Sequence, residues 1–312
     1  MNKVWVLKLL FFFPLVGIAQ NTTPVYFKTW EATGASSRIL GLSIGEDQRL
    51  YGYIDRFIYR YDGNRWIKMI EASGIRNVYL GAKQGLFVGK SGESNWYKPN
   101  ANGTFEVIDL NSEVSKKALL PIHIEGSKDY IYFMGSNGVF AHKRGQSASK
   151  LEQIWKKDAL AGCEAGNIFY VADYSNQLVK VQNKDAQLIV DINKTAAQIS
   201  PMLFARCSAD GSVLVKSATH QFFRYAPSSG LKPFSIQGLA PNVPVKWYRS
   251  LHSGGYVFLL DDLKIVQTDA SGKIMQQWTQ TDLKLDSPPT NIVTDKQDRI
   301  WFVNLEGVGY IH

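Results

Sequence analysis

From Val25 onward the chain is a succession of short apolar or alternating runs, each closed by a cluster of Gly, Asn, Asp or Ser. Sustained 3.6-residue periodicity is almost absent. Period-two runs between turn residues predict strands joined by tight turns. Helical turns are expected only near Ser112–Leu119 and Lys194–Gln198, as loop decoration.

The runs come in groups: a first apolar run, a strongly aromatic second, then two weaker ones. The first group reads RILGLSI, RLYGYI, FIYRY, RWIKMI, and the sixth reads KWYRSL, GYVFLL, KIVQT, KIMQQW. Centring on the second run of each group gives Tyr51, Phe87, Tyr132, Phe169, Leu214, Val257 and Trp301, a mean spacing of about 42 residues. Four strands repeated at that period predict an all-β fold, a seven-bladed β-propeller.

The seventh group has only three runs, NIVT, RIWFVN and VGYIH, while Pro24–Trp30 (PVYFKTW) is a spare run ahead of the first group. Pairing that N-terminal strand beside Val308–Ile311 would close the last blade. It would also cover two sheet edges that otherwise template aggregation. An open sandwich or a β-helix array accounts for the strands, but not for the period or the matched ends.

The first residues read differently. Lys3 and Lys8 precede an eleven-residue apolar run, Leu9–Ala19, with small residues Gly17 and Ala19 at the −3 and −1 positions of a cleavage site. This predicts a signal peptide over residues 1–19, cleaved after Ala19, and a single propeller domain over 20–312. The run is too short to span a bilayer comfortably and contains Pro14. No later segment approaches about 18 apolar residues. The expectation is a secreted or periplasmic protein with no membrane span in the mature chain.

Composition adds bounds. With 45% hydrophobic residues in 312, a large core is available. Removing Lys3 and Lys8 from 35 basic residues, against 27 acidic, leaves a charge of about +6. The Lys and Arg are scattered, so a mild preference for anionic partners is expected and nucleic acid is not. The two cysteines, Cys163 and Cys207, fall near the ends of first runs in adjacent groups. That placement allows an inter-blade disulfide in an oxidising compartment, or two buried thiols acting as small hydrophobes.

The last group, Asn291 to Ile311 (NIVTDKQDRIWFVNLEGVGYI), resembles the repeat of two-component-regulator propellers: an apolar strand, an acidic turn, Ile-Trp, then a Gly-rich turn and an aromatic. Tyr59–Trp66 (YRYDGNRW) is similar to the outer part of such a blade. The GIAQN ending of the export signal resembles those of Bacteroidota proteins. The resemblance implies an extracytoplasmic sensor propeller. This sequence shows no kinase part, a departure from the family pattern, so what the resemblance implies here is a ligand- or protein-binding propeller and not by itself signalling across a membrane.

In a propeller the first strand of each blade lines the central channel. Those runs carry Arg76, His123, Glu164, Arg206, Arg249 and His252. Converging guanidinium groups suit a carboxylate, a phosphate or a sulfated sugar, because they offer forked donors. The competing role is pairing or packing between blades. Glu164 reads as the one clear acid of these runs. Trp96, Trp155, Trp247, Trp278 and Trp301 could stack on sugars or fill the gaps between blades.

No metal site is expected: the five histidines, including His142, His220 and His312, show no paired spacing, and Asp261, Asp262, Asp295 and Asp298 read as turn acids. No nucleophile elbow or phosphate loop is present, and no cofactor is expected. Asn102-Gly-Thr104 and Asn193-Lys-Thr195 are glycosylation sequons, relevant only in a eukaryotic source. The leading expectation is therefore a channel that binds an anionic small molecule or glycan. The alternatives are a propeller enzyme (lyase, lactonase or glycan hydrolase) and a subunit docking another cell-envelope protein.

Overall fold

The structure is a computed structural model. It describes residues 25–312, apart from positions 40, 55, 103, 166, 176, 183, 209 and 218 and segments 34–37, 82–84, 91–92, 111–119, 147–150 and 192–201. The expected signal peptide and both expected helical turns lie outside the described residues.

Seven four-stranded antiparallel sheets follow one another along the chain, with strands numbered β1–β28. Blade 1 is β2 (Gly41–Ile44), β3 (Leu50–Tyr53), β4 (Phe57–Tyr61) and β5 (Trp66–Glu71). The inner strands of blades 2 to 7 are β6 (Ile75–Gly81), β10 (Leu120–Gly126), β14 (Ala159–Ala165), β18 (Met202–Cys207), β22 (Val245–Ser250) and β26 (Asn291–Thr294). Every group read from the sequence becomes one sheet, in the order in which its runs occur.

The last sheet runs β26, β27 (Ile300–Val303), β28 (Gly307–Ile311), then β1 (Val25–Thr29). β1 lies antiparallel on β28, from Val25 opposite Ile311 to Thr29 opposite Gly307. Tyr26 stacks on Tyr310 with ring centroids 4.7 Å apart. The strand is shorter than expected. Trp30 leaves it to open a single helical turn, Trp30–Thr33, and its Nε1 donates to the Leu305 carbonyl at 3.1 Å.

The core is distributed around the ring. Seven apolar clusters each join two neighbouring blades. Phe87 and Trp96 of blade 2 meet Phe133 and Phe140 of blade 3; Tyr61 and Trp66 of blade 1 meet Trp301 and Val308 of blade 7. The second strands are the most buried, with all of Tyr256–Leu260 and Ile300–Val303 inside. A strand sandwiched between sheets on both faces needs apolar residues at every position, which is why these runs read as continuous.

Four inner hairpins share one five-residue turn. Gly45, Ser208, Leu251 and Asp295 open it, each donating its N–H to the carbonyl four residues on. The fourth residue, Gln48, Gly211, Gly254 or Asp298, takes φ of 62°, 79°, 97° and 59°. A positive φ there matches the turn to the strand twist. These turns place the residues that rim one mouth of the channel.

Candidate functional site

The residues that set the sequence repeat each have a partner on the inner strand. Tyr51 lies opposite Ser43, Phe87 opposite Tyr79, Tyr132 opposite Glu125 and Phe169 opposite Glu164. Leu214 lies opposite Arg206, Val257 opposite Arg249 and Trp301 opposite Val293. Six of these positions are equivalent by register and form one layer around the axis; on β14 the equivalent residue is Cys163, opposite Tyr170, because Cys163, like Tyr79, Glu125, Arg206 and Arg249, is the third residue after the bulge of its strand. The layer carries one carboxylate, Glu125 on blade 3, and two guanidiniums on blades 5 and 6, while Glu164 stands one place nearer the hairpin mouth.

A hollow of about 620 Å³ lies inside the inner strands, bounded by Tyr53, Tyr79, His123, Glu125, Arg206 and Arg249 among others. A second hollow, of about 450 Å³, opens at the hairpin mouth beside Glu46, Glu125, Glu164 and His252. The two share Ile44, Tyr79, Glu125 and Thr294 and so continue one another along the axis.

The guanidinium half sits deeper. Arg249 Nη1 donates to the Tyr248 carbonyl at 2.9 Å, and its guanidinium lies 5.5 Å from the Trp247 ring. Burial, and then the neighbouring Arg206, pull the Arg249 pKa down to about 9. A buried guanidinium beside a like charge is pushed towards its neutral form. Trp247 is held by its Nε1, which donates to the Thr290 carbonyl at 3.0 Å. Tyr53 covers Gly41; a Cβ at Gly41 would lie inside the Tyr53 ring.

The acid half lies at the mouth. Burial, followed by the charge of Glu125, raises the Glu164 pKa, although the Lys128 backbone N–H donates to Glu164 Oε1 at 3.2 Å. His123 Nε2 stands 3.5 Å from Glu125 Oε2. Glu46 is engaged differently: Arg144 Nη2 donates to its Oε1 at 2.5 Å and the Tyr79 hydroxyl donates to the same oxygen at 2.6 Å. Gly126 makes room for this group, since a Cβ there would overlap the Tyr79 hydroxyl.

Of the six residues singled out in the sequence, His123, Arg206 and Arg249 border the inner hollow, and Glu164 and His252 border the mouth. His252 is exposed in the turn after β22, where its N–H donates to Asp298 Oδ1 at 2.5 Å. Arg76 is the extra residue of a bulge between Ile75 and Asn77 of β6, and its side chain lies outside the described residues.

One reading is corrected. Glu164 is not the sole acid of the inner strands: Glu125 lies on β10 opposite Tyr132, and Glu46 follows β2 at the mouth. Asp295 is a turn residue as expected, but it is buried. Its Oδ1 accepts from the Gln297 and Arg299 backbone N–H groups, and its Oδ2 from Arg299 Nε and Trp301 Nε1.

Cys163 and Cys207 are disulfide-bonded, with Cα atoms 5.4 Å apart, linking β14 to β18 beside the mouth. Of the five tryptophans singled out in the sequence, Trp96, Trp278 and Trp301 are buried between blades, and Trp247 lines the inner hollow. Among the described residues no three His, Cys, Asp or Glu side chains gather as metal ligands. No helix among them is long and apolar enough to cross a membrane.

The arrangement defines a seven-bladed propeller with a polar, charge-divided channel. Solved propellers superpose on it over nearly the whole chain. The extracellular domain of the hybrid two-component system BT3049 from B. thetaiotaomicron is 12% identical, with a TM-score of 0.66, over 92% of this chain and 42% of that one. The extracellular domain of the one-component system BT4673 from the same organism is 14% identical, with a TM-score of 0.65, over 93% and 42%. This chain therefore spans less than half the length of those two domains. YCF48 bound to D1 peptide is 8% identical, with a TM-score of 0.67, over 95% and 96%. At such identities the likeness is one of fold, and it includes the extracellular propellers of Bacteroides regulators. No protein-family model matches the chain, and no curated protein does.

Proposed function

We propose that this protein is an exported ligand-binding propeller that holds an anionic small molecule, or an acidic group of a glycan, in its central channel. The observation that carries the reading is the Arg206–Arg249 pair beside a hollow of about 620 Å³. Burial and the Arg206 charge depress the proton affinity of Arg249, and a carboxylate against its guanidinium relieves that cost through charge-assisted, forked hydrogen bonds. The Trp247 and Tyr53 faces supply apolar surface for the rest of such a ligand. Export is supported by the Lys3–Ala19 leader pattern and by the fold shared with extracellular regulator domains.

A thermal-shift screen of organic acids and acidic glycans tests the reading. A ligand that binds only the folded state raises the melting temperature. At least one carboxylate should do so, and Arg249→Met should abolish the rise. If no anion shifts the wild-type protein, the reading fails.

A second reading has its own observation. Glu125 and Glu164 converge at one mouth, and carboxylate pairs carry glycoside hydrolysis. Turnover of a glycan that is lost in both Glu125→Gln and Glu164→Gln would favour this enzyme over a binding module.

A further inference from the structure

Three neighbouring blades bring unmet hydrogen-bonding groups to the wall of the inner hollow: Arg249 on blade 6, Asn291 on blade 7 and Tyr53 on blade 1. A guanidinium carries five N–H donors. Among the described residues, the one hydrogen bond of the Arg249 guanidinium runs to the Tyr248 carbonyl, its neighbour in sequence. The Asn291 side chain is 6% exposed, and its Oδ1 accepts no hydrogen bond among the described residues. The Tyr53 hydroxyl makes none among them either.

The local structure holds these groups in place. Trp247 Nε1 donates to the Thr290 carbonyl, which fixes the start of β26, and with it Asn291, against β22. The Tyr53 ring occupies the space that a side chain at Gly41 would fill, so it reaches the channel only because Gly41 has none. An unmatched buried acceptor is costly, and folded proteins keep few of them. An unmatched acceptor beside under-used donors, all on one wall of one hollow, is the arrangement of a site whose partner is a ligand.

The three groups differ in what they need. The Arg249 fork needs an acceptor, and a carboxylate fits it. Asn291 Oδ1 needs a donor, which a carboxylate cannot offer. The Tyr53 hydroxyl can give or take. A plain carboxylate therefore satisfies Arg249 and leaves Asn291 stranded. An ammonium group would reach Asn291 at the expense of a second positive charge beside Arg249. A hydroxyl is neutral, and one hydroxyl can donate to Asn291 while accepting from Tyr53.

We infer that the hollow selects hydroxylated carboxylates, that is hydroxy acids or sugar acids, over the same acids without a hydroxyl. The inference rests on the anion site proposed above. Calorimetry with matched pairs tests it: lactate against propionate, malate against succinate, gluconate against hexanoate, and glucuronate against cyclohexanecarboxylate. The first two pairs probe small hydroxy acids and the last two probe sugar acids.

In the best-fitting pair the acid without hydroxyls should bind at least about tenfold more weakly. Asn291→Leu should bring the hydroxy acid down towards its partner and leave the partner unchanged, whereas Arg249→Met should lose both. Melting curves establish that the variants fold, and the wild-type comparison stands without them. Equal affinity within every pair would overturn the selection while leaving the anion site standing. An undiminished preference for the hydroxy acid in folded Asn291→Leu would overturn selection by this wall. Absence of binding by every carboxylate would overturn both the selection and the anion site.

Discussion

Glu164 follows Cys163 on β14 and Arg206 precedes Cys207 on β18, so the bond that ties these neighbouring inner strands has an acid on its mouth side and a base on its inner side. The disulfide thus marks the boundary between the acidic mouth and the basic interior of the channel. Opposite charges on adjacent blades, clamped at the backbone, make the polarity of the channel a built feature rather than a consequence of mobile side chains.

The first prediction concerns that clamp. The bond closes a loop with a sequence separation of 44 residues. Loop-closure entropy at that length corresponds to about 4 kcal/mol. Reduction, or the Cys163→Ser/Cys207→Ser double variant, should lower stability by about that amount in urea melts. Melts unchanged by reductant would show that the bond contributes nothing to the fold.

The second prediction concerns the buried turn acid. Asp295 satisfies four donors while its side chain is 1% exposed. Asp295→Ala strands the Trp301 indole N–H and the Arg299 guanidinium, a loss of about 3 kcal/mol. Lys296→Ala, in the same turn but exposed, should cost less than about 1 kcal/mol. Equilibrium unfolding of the two variants side by side checks the difference.

The third prediction is a pH dependence. His142 is 1% exposed between Phe87 and Trp96, and neither ring nitrogen has a hydrogen-bond partner among the described residues. Burial first, and the Arg144 charge second, lower its pKa to about 4 from 6.5. The folded protein thus binds the proton less well than the unfolded chain. Its contribution is fully present above pH 6.5 and is lost as the pH falls towards 4, by about 3 kcal/mol. The stability difference between wild type and His142→Phe should follow that profile. A pH-independent difference would exclude His142 as its source.

The fourth prediction concerns ring closure. Trp30 is 9% exposed and packs on Trp66 of the first blade, while β1 completes the last. Trp30→Ala should cost about 3–5 kcal/mol. Deleting residues 24–30 should cost more and leave an aggregation-prone edge on β28. Light scattering during thermal melts would reveal that edge.

The blades were legible because each second run is buried on both faces and must be apolar throughout; its centre recurs wherever a blade recurs. Arg206, Arg249 and Glu164 were legible because they interrupt otherwise apolar first runs. Glu125 escaped because it follows the last apolar residue of the third group's first run, Ile124, while β10 continues to Gly126. The Tyr79–Glu46–Arg144 group has no local signal at all. It joins the end of one hairpin, the middle of the next inner strand and the outer part of the third blade, contacts that only the closed ring creates.

The charge-divided channel is tested most directly by calorimetric titration of a carboxylate identified by thermal shift into wild-type protein and into Arg206→Gln, Arg249→Gln and the double variant. The account predicts saturable binding to wild type with one site per chain, weakened in each single variant and absent in the double. Binding of undiminished affinity to the double variant would contradict it.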